Sequence, residues 1–480
     1  MQPSIPRLRN YDVSPINGFL PTEPPLEVLP NAYYAPWENL IRNLQALILT
    51  RRLRGMVDKL PVLSTEHLQT EEEWRRAYSV LAILTHAYVW GGDRPLDVVP
   101  PGISIPFLAT CNHLELPSVA TYAAVVLWNW RALFPTEPVD NLENITTLAT
   151  FTGSIDESWF YLVSVAIEAR GAPIIPMMLQ AITAARQNDA FTVTECLRGF
   201  AERLDELATL LVRMYENCDP HVFYHRIRPY LAGGKNMAEA GLPNGVMFDD
   251  GTGHSEYVQF SGGSNAQSSI IQFFDIVLGV EHRPTGDSKQ PSDPALTGPS
   301  NNFIQDMRTY MPGPHRRFLE HVEKVANIRP FVTARRNNRA LVVAYDACLA
   351  MLRAFRDKHI QMVSRYIIVK SRESRSHSRS IAVLTTGTPT SIPASESTRP
   401  GRRKLRGTGG TALIPFLKQA RDETGEPAID AWANRLLNNG PGQEGTRLRK
   451  VEEDSSGEME VVGLAGTWSV DDSEGGICHW

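Results

Sequence analysis

Between Asn338 and Val369 the residues Leu341, Tyr345, Cys348, Leu352, Phe355, His359, Met362 and Tyr366 recur in alternating steps of four and three. Side chains spaced this way share one face of an α-helix. A stripe sustained over that length predicts one long helix, buried along a side that other helices must cover. One member of the stripe is an imidazole. On pattern alone His359 fits a core histidine satisfied by a single hydrogen bond. The alternative is a neutral imidazole presented to a cofactor inside the bundle.

The same periodicity runs through most of the chain. WENLIRNLQALILTRRLRGMVDKL sets Trp37, Leu40, Ile41, Leu44, Leu47 and Ile48 on one face. TEEEWRRAYSVLAILTHAYVW opens with a capping box, Thr70 to Glu73, and SIDESWFYLVSVAIEARGAP with another, Ser154 to Glu157, closed by Gly171. FTVTECLRGFAERLDELATLLVRMYENC predicts a long amphipathic helix. DPHVFYHRIRPYL has Asp219 at the N-cap and Pro220 at the first helical position, with Pro229 as kink or stop. QSSIIQFFDIVLG, NNFIQDMRTYMP and HRRFLEHVEKVA read as shorter helices. ELPSVATYAAVVLWNWRALF is apolar nearly all round and predicts a buried helix. VVPPGISIPFLATC, with its prolines, predicts a short edge strand.

The expected fold is therefore all-α. A smaller, mainly helical N-terminal domain (1–148) precedes a large helical-bundle domain (149–425), and an acidic, loosely ordered tail (426–480) follows. Residues 1–35, rich in proline, are expected as surface coil. Inside the large domain the polar stretch 370–407 lacks core-forming residues and predicts a mobile basic loop.

Composition limits the function classes. With 42% hydrophobic and 21% charged residues the chain is an ordinary globular one, and a net charge of −5 is too mild to argue for nucleic acid or an anionic membrane. Cys111, Cys196, Cys218, Cys348 and Cys478 are odd in number and form no CxxC pair, which argues against structural zinc and a disulfide framework. The N-terminus lacks the apolar run of a secretion signal, and no segment reads as membrane-spanning. The expectation is a cytoplasmic protein with reduced thiols.

Several stretches carry candidate chemistry. If His359 faces a cofactor rather than the core, it offers the one axial nitrogen that a haem iron needs, and Arg356, three residues earlier, lies where it pairs with a propionate or sits at a helix rim. In FSGGSNAQSSIIQFFDIVLG small residues lead into an apolar helix, a loop suited to close backbone approach. Asp275 interrupts that helix's apolar run and needs a partner, an arginine or histidine. His221 and His225, one turn apart, have metal-ligand spacing but lack the glutamate of a zinc hydrolase motif. Arg228 is a carboxylate clamp or a surface arginine. Phe160 and Ser164 share a helix face. RGTGGT, Arg406 to Thr411, is a lid hinge or a flexible turn, and lacks the lysine of a phosphate loop.

Seven stretches in order, LELPSVATYAAVVLWNW, FYLVSVAIEA, FYHRIRPYLAG, FSGGSNAQSSIIQFFDIVLG, FIQDMRTYMPGPHRRFL, AYDACLAMLRAFRDKHIQMVSRYI and RGTGGTALIPFLK, together resemble the indoleamine 2,3-dioxygenase family, in its fungal form. They run from Leu114 to Lys418; the resemblance is weaker before Leu114 and absent after Glu426. It implies a monomeric helical enzyme with one non-covalent haem b, and O2 as co-substrate. His359 then takes the proximal position on the iron and Arg356 a place by a haem propionate. Phe160, Ser164 and Phe223 fall on the distal, catalytic pocket. Arg228 matches the arginine that binds the substrate carboxylate. Tyr122, Val125 and Val126 line the deep end where the indole sits. Gly263, Ser264 and Asn265 match the loop beside haem and substrate, and Thr408 the lid.

The implied reaction inserts both atoms of O2 across the C2–C3 bond of an indole, converting L-tryptophan to N-formylkynurenine in the kynurenine pathway. No distal acid or base is required, and none stands out among the matched positions. Departures from the family pattern make the pocket mouth more polar: Tyr224 for phenylalanine, His225 for serine, and Asn265–Ala266 for an alanine–glycine pair. Val125 stands where relatives carry a small polar residue or cysteine. The same chemistry on another indole or a pyrrole, or a haem-binding protein with weak or lost turnover, stays open as an alternative.

Overall fold

The computed structural model describes residues 3–284, 303–371, 373, 413–443, 459–463 and 466–470. Its main helices are α1 (Glu71–Trp90), α2 (Pro101–Leu114), α3 (Ile155–Gly171), α4 (Ile174–Arg186), α5 (Ala190–Val212), α6 (Ser269–Leu278), α7 (Gly313–Val325), α8 (Arg339–Val363), α9 (Leu413–Gly425) and α10 (Ala431–Gln443). Strands among the described residues are two to five residues long, in one three-stranded sheet and two hairpins. The fold is helical, as expected.

The long helix is α8, begun by Asn338, whose side chain accepts a hydrogen bond from the Leu341 N–H. It packs along α5 and against α9. Of its stripe, Leu341, Tyr345, Cys348, Leu352, Phe355, Met362 and Tyr366 are buried. The apolar core is continuous from Val13 to Leu437 and includes residues on both sides of position 148.

Several elements differ from the sequence expectation, each for a local reason. VVPPGISIPFLATC is mostly helix: only Val98–Val99 is strand, paired parallel to Met247 and Phe248, and Pro101 starts α2. Ile103, Phe107, Cys111 and Leu114 form that helix's buried stripe, and proline at the first turn costs no backbone bond. The expected helix over ELPSVATYAAVVLWNWRALF is buried but is one π turn, Ala123–Leu127, followed by the strand Trp130–Ala132. Side chains replace helix bonds there: Gln267 accepts from the Tyr122 N–H (2.8 Å) and Asn129 donates to the Val125 carbonyl (3.2 Å). The 37–60 stretch breaks into three short helices at Asn43 and Thr50–Arg52. α4 was not anticipated. With α3 it forms a stretch, Ile155–Arg186, apolar enough to cross a membrane by length and composition, contrary to the sequence expectation; 72% of its most apolar window is buried inside the protein. In the stretch expected as a loose tail, α10 forms because the buried Asp346 carboxylate accepts from the Ile429 and Asp430 N–H groups, both at 2.9 Å.

Two neutral histidines sit in this core. His86 on α1 uses both ring nitrogens: Nδ1–H donates to the Tyr230 carbonyl (2.7 Å) and Nε2 accepts from the Ala120 N–H (2.9 Å). It thereby ties the segments that carry Tyr122 and Arg228. His315 lies under the N-terminal coil, within 3.3 Å of the Asp12 carbonyl. Burial lowers the pKa of each to about 4 from an ordinary 6.5. The unfolded chain therefore binds more protons between those values, and stability falls as pH falls through that window. A loss of about 3 kcal/mol per histidine is expected between about pH 6.5 and pH 4, read as a falling urea midpoint. A midpoint constant over that range would contradict the assignment.

Candidate functional site

One cavity among the described residues gathers the candidate side chains. Its deep wall is Tyr122, Val125 and Val126 from the Ala123–Leu127 turn, with Phe160, Ser164 and Ile167 from α3. A second wall is Phe223, Arg228 and Leu231; a third is the Gly263–Ala266 loop with Ile271 and Asp275 of α6. The floor is the face of α8 and its extension from Phe355 to Ile367, closed by Leu413, Phe416 and Leu417 of α9. Every candidate site residue expected from sequence lines this cavity except Thr408. That residue, the hinge Arg406–Thr411 and nearly all of the 370–407 loop lie outside the described residues.

Three π turns, Ala123–Leu127, Phe223–Ile227 and Ser364–Val369, each contribute lining residues. A π turn inserts one extra residue and re-aims side chains, a distortion concentrated at functional sites. Here it brings Phe223 to Phe160 at 4.7 Å between ring centroids and to Tyr366 at 5.7 Å. The loop's position depends on Gly262: a Cβ there would lie 2.0 Å from the Leu231 carbonyl and 2.5 Å from the Gly233 nitrogen. This glycine permits backbone-on-backbone packing, while Gly263 is the one that borders the cavity. Gln267 locks the arrangement, accepting from Tyr122 N–H and donating to the Gly262 carbonyl at 2.9 Å.

His359 faces the cavity with no hydrogen-bond partner for either ring nitrogen among the described residues. Burial, with repulsion from Arg356 second, lowers its pKa to about 4. It is thus a neutral imidazole at physiological pH, walled by Phe355 and Met362, in an apolar slot. A core histidine normally makes a hydrogen bond. The donor set fits a haem: one unclaimed soft nitrogen and aromatic walls.

Arg356 lines the same cavity but is engaged. One terminal nitrogen bonds both Asp275 oxygens (2.8 and 2.7 Å), and the other reaches Thr424 and the Ala420 carbonyl. Asp275 thus has both the arginine and the histidine partner that its burial demanded. His282 Nε2 lies 3.1 Å from Asp275 and Nδ1 2.7 Å from Glu423. Carboxylates only accept, so both ring nitrogens must carry protons. Asp275 and Glu423, second to burial's opposing effect, raise the His282 pKa above 6.5. The bridge is complete below that value and is lost as pH rises through the folded pKa. Since Glu423 belongs to α9, His282→Gln is expected to speed hydrogen exchange in Leu413–Gly425 about tenfold at neutral pH; unchanged exchange would show that the bridge does not hold α9.

Arg228 is mostly buried, which lowers its pKa, and it stacks over the Tyr224 ring at 5.4 Å. Its planar cation lines the cavity with Tyr122, Val125 and Val126. His221 and His225 stand together outside the cavity, 4.5 Å between ring centroids. Among the described residues no group of three or more metal-binding side chains accompanies them. Sequence reasoning missed Gln267, His282 and the buried Glu168 behind Tyr122, because each acts across elements distant in the chain.

The sequence model of the family described as indoleamine 2,3-dioxygenase matches residues 7–427. The chain belongs to the indoleamine 2,3-dioxygenase family. The match takes in the N-terminal third, where the resemblance reads weakest, and stops at the tail. An indoleamine 2,3-dioxygenase of Saccharomyces cerevisiae is 42% identical over 430 residues, 88% of this chain and 93% of that one. One of Penicillium citrinum is 41% identical over 429 residues, 87% and 88% of the two chains. A 6-hydroxytryptophan 2,3-dioxygenase of Fusarium equiseti is 37% identical over 425 residues, 88% and 98%. As a member of this family the chain is an oxidoreductase of the dioxygenase type.

Proposed function

We propose that this chain holds one haem b through His359 and inserts both atoms of O2 across the C2–C3 bond of L-tryptophan, giving N-formylkynurenine. The observation that carries the reading is the neutral imidazole of His359, which lines this cavity and has no hydrogen-bond partner among the described residues. When bound, haem supplies the activation of dioxygen, which side chains cannot do.

The chain's own residues position and shield the substrate. Tyr122, Val125, Val126, Phe160 and Phe223 present aromatic and aliphatic surface to a flat indole. Arg228 grips the carboxylate, so the ring and the acid end are fixed at two points and the C2–C3 bond is held in one orientation. Ser164 presents its hydroxyl on the same wall, bonded to Phe160's carbonyl at 3.5 Å and beside the Tyr122 hydroxyl. Gly263, Ser264 and Asn265 close the side wall, with Thr408 taken as part of the lid. Apolar walls keep water from the reacting atoms. The Arg356–Asp275 pair holds α8 against α6 beside the haem edge.

A second reading, the same chemistry on a ring-hydroxylated tryptophan, is favoured by the hydroxyls of Ser164 and Tyr122 at the deep end and by the Fusarium equiseti relative. The test is haem reconstitution followed by aerobic turnover of tryptophan, 6-hydroxytryptophan and a pyrrole panel, with mass detection. A Soret band and a two-oxygen gain on tryptophan support the proposal. Haem uptake without turnover of any indole overturns it in favour of a haem-binding protein; no haem uptake overturns both.

A further inference from the structure

Glu168 lies one turn beyond Ser164 and two beyond Phe160 on α3, fully buried behind the deep wall of the cavity. Its Oε1 accepts from the Ser268 hydroxyl at 2.7 Å and from the Tyr122 hydroxyl at 3.1 Å. Its Oε2 is buried and has no hydrogen-bond partner among the described residues. Both donors line the cavity; Glu168 does not. The group therefore joins the three elements that shape the deep end, α3, the Ala123–Leu127 turn and the start of α6, yet leaves one oxygen unsatisfied.

A dry, half-paired carboxyl is expensive in either protonation state. A glutamine could accept the same two hydrogen bonds without an ionic charge, so architecture alone does not call for an acid. We propose that Glu168 is a positioning residue for the reaction assigned above, on which this inference rests. Its negative charge, relayed to the cavity through the Tyr122 hydroxyl, stabilises the positive charge an indole develops while giving electron density to oxygen. The step balances without a proton or an external reductant: the C2–C3 double bond and the O–O bond both break, and each ring carbon forms a carbonyl with one of the two oxygen atoms. Electron withdrawal from the ring is the demanding part, and a fixed anion in a dry site acts on it strongly.

The surroundings allow the charge to change. Burial pushes the Glu168 pKa up to about 7, against the opposing hydrogen bonds of Ser268 and Tyr122. Tyr122, the one titratable side chain bonded to it among the described residues, is held far above its usual range by burial and by Glu168 itself. Asp275, on the same α6 as Ser268, is committed to Arg356 and His282. Turnover should accordingly rise with pH through about neutrality.

The experiment uses the haem-loaded full chain and tryptophan, from about pH 5.5 to pH 9. Wild type is expected to show kcat rising about tenfold through an inflection near neutrality. Glu168→Gln is expected to flatten that profile at the low plateau, with KM changed less than about twofold and the melting midpoint equal or higher. Ser268→Ala, which removes one donor to the anion, should move the inflection up by about one pH unit. In the infrared difference spectrum between acid and alkaline haem-loaded protein, a protonated-carboxyl band should be present in wild type and missing in Glu168→Gln. A wild-type enzyme that turns over tryptophan with a flat profile and no such band overturns the inference while leaving the function intact. An unmoved inflection in either variant does the same. If Glu168→Gln does not fold, the Ser268→Ala inflection decides. Wild type that takes up haem but turns over no indole overturns the functional reading itself, and this inference with it.

Discussion

His359→Ala is expected to give a folded protein that does not retain haem. The imidazole makes no hydrogen bond among the described residues, so its removal costs none there. Alanine is the best helix former for the middle of α8. On the proposed reading the loss falls on the haem, which His359 would hold. Haem content after reconstitution and desalting should drop below about a tenth of wild type, with an unchanged far-ultraviolet circular dichroism spectrum. Free imidazole, small enough for the vacated space, should restore part of the Soret band. Undiminished haem in the variant would place the ligand elsewhere.

Arg228→Ala is the second large effect, and it acts on substrate rather than cofactor. The guanidinium is mostly buried and stacked on Tyr224, so a carboxylate meeting it is poorly screened by water. Losing one partner of such a pair costs about 2–5 kcal/mol, about thirtyfold or more in kcat/KM for tryptophan. An indole without a carboxylate should be affected less than about threefold. Equal losses on both substrates would mean that Arg228 shapes the wall rather than grips the acid. Haem content in this variant should match wild type, which separates it from the first.

The two variants also mark where sequence reading reached and where it stopped. The helices of the site, α3, α6 and α8, are legible because their apolar stripes have period 3.6 and their first turns are capped by Ser154, Asn338 or small polar residues. His359 and Arg228 stand out as polar groups in patterned or aromatic surroundings. Period alone failed between Leu114 and Ala132. There the residues are buried as expected, but His86 and Gln267 accept the Ala120 and Tyr122 N–H groups, and no local pattern encodes partners many tens of residues away. It failed likewise at α2, where prolines that look like strand edges are good first-turn residues. Asp275 was legible as a group needing a partner; that it binds both Arg356 and His282, and through His282 the helix α9, was not.

The sequence by itself determined the helical class, the long α8 with an imidazole in its stripe, and, through ordered matching stretches, the family. These are properties of spacing and residue type, which each segment carries alone. Only the tertiary structure decided that His359 lines a cavity without a hydrogen-bond partner among the described residues, that Arg356 is already engaged by Asp275, and that one Glu168 oxygen has no partner among them. Those facts are set by which groups remain unsatisfied once distant segments pack, and satisfaction is a property of the whole fold.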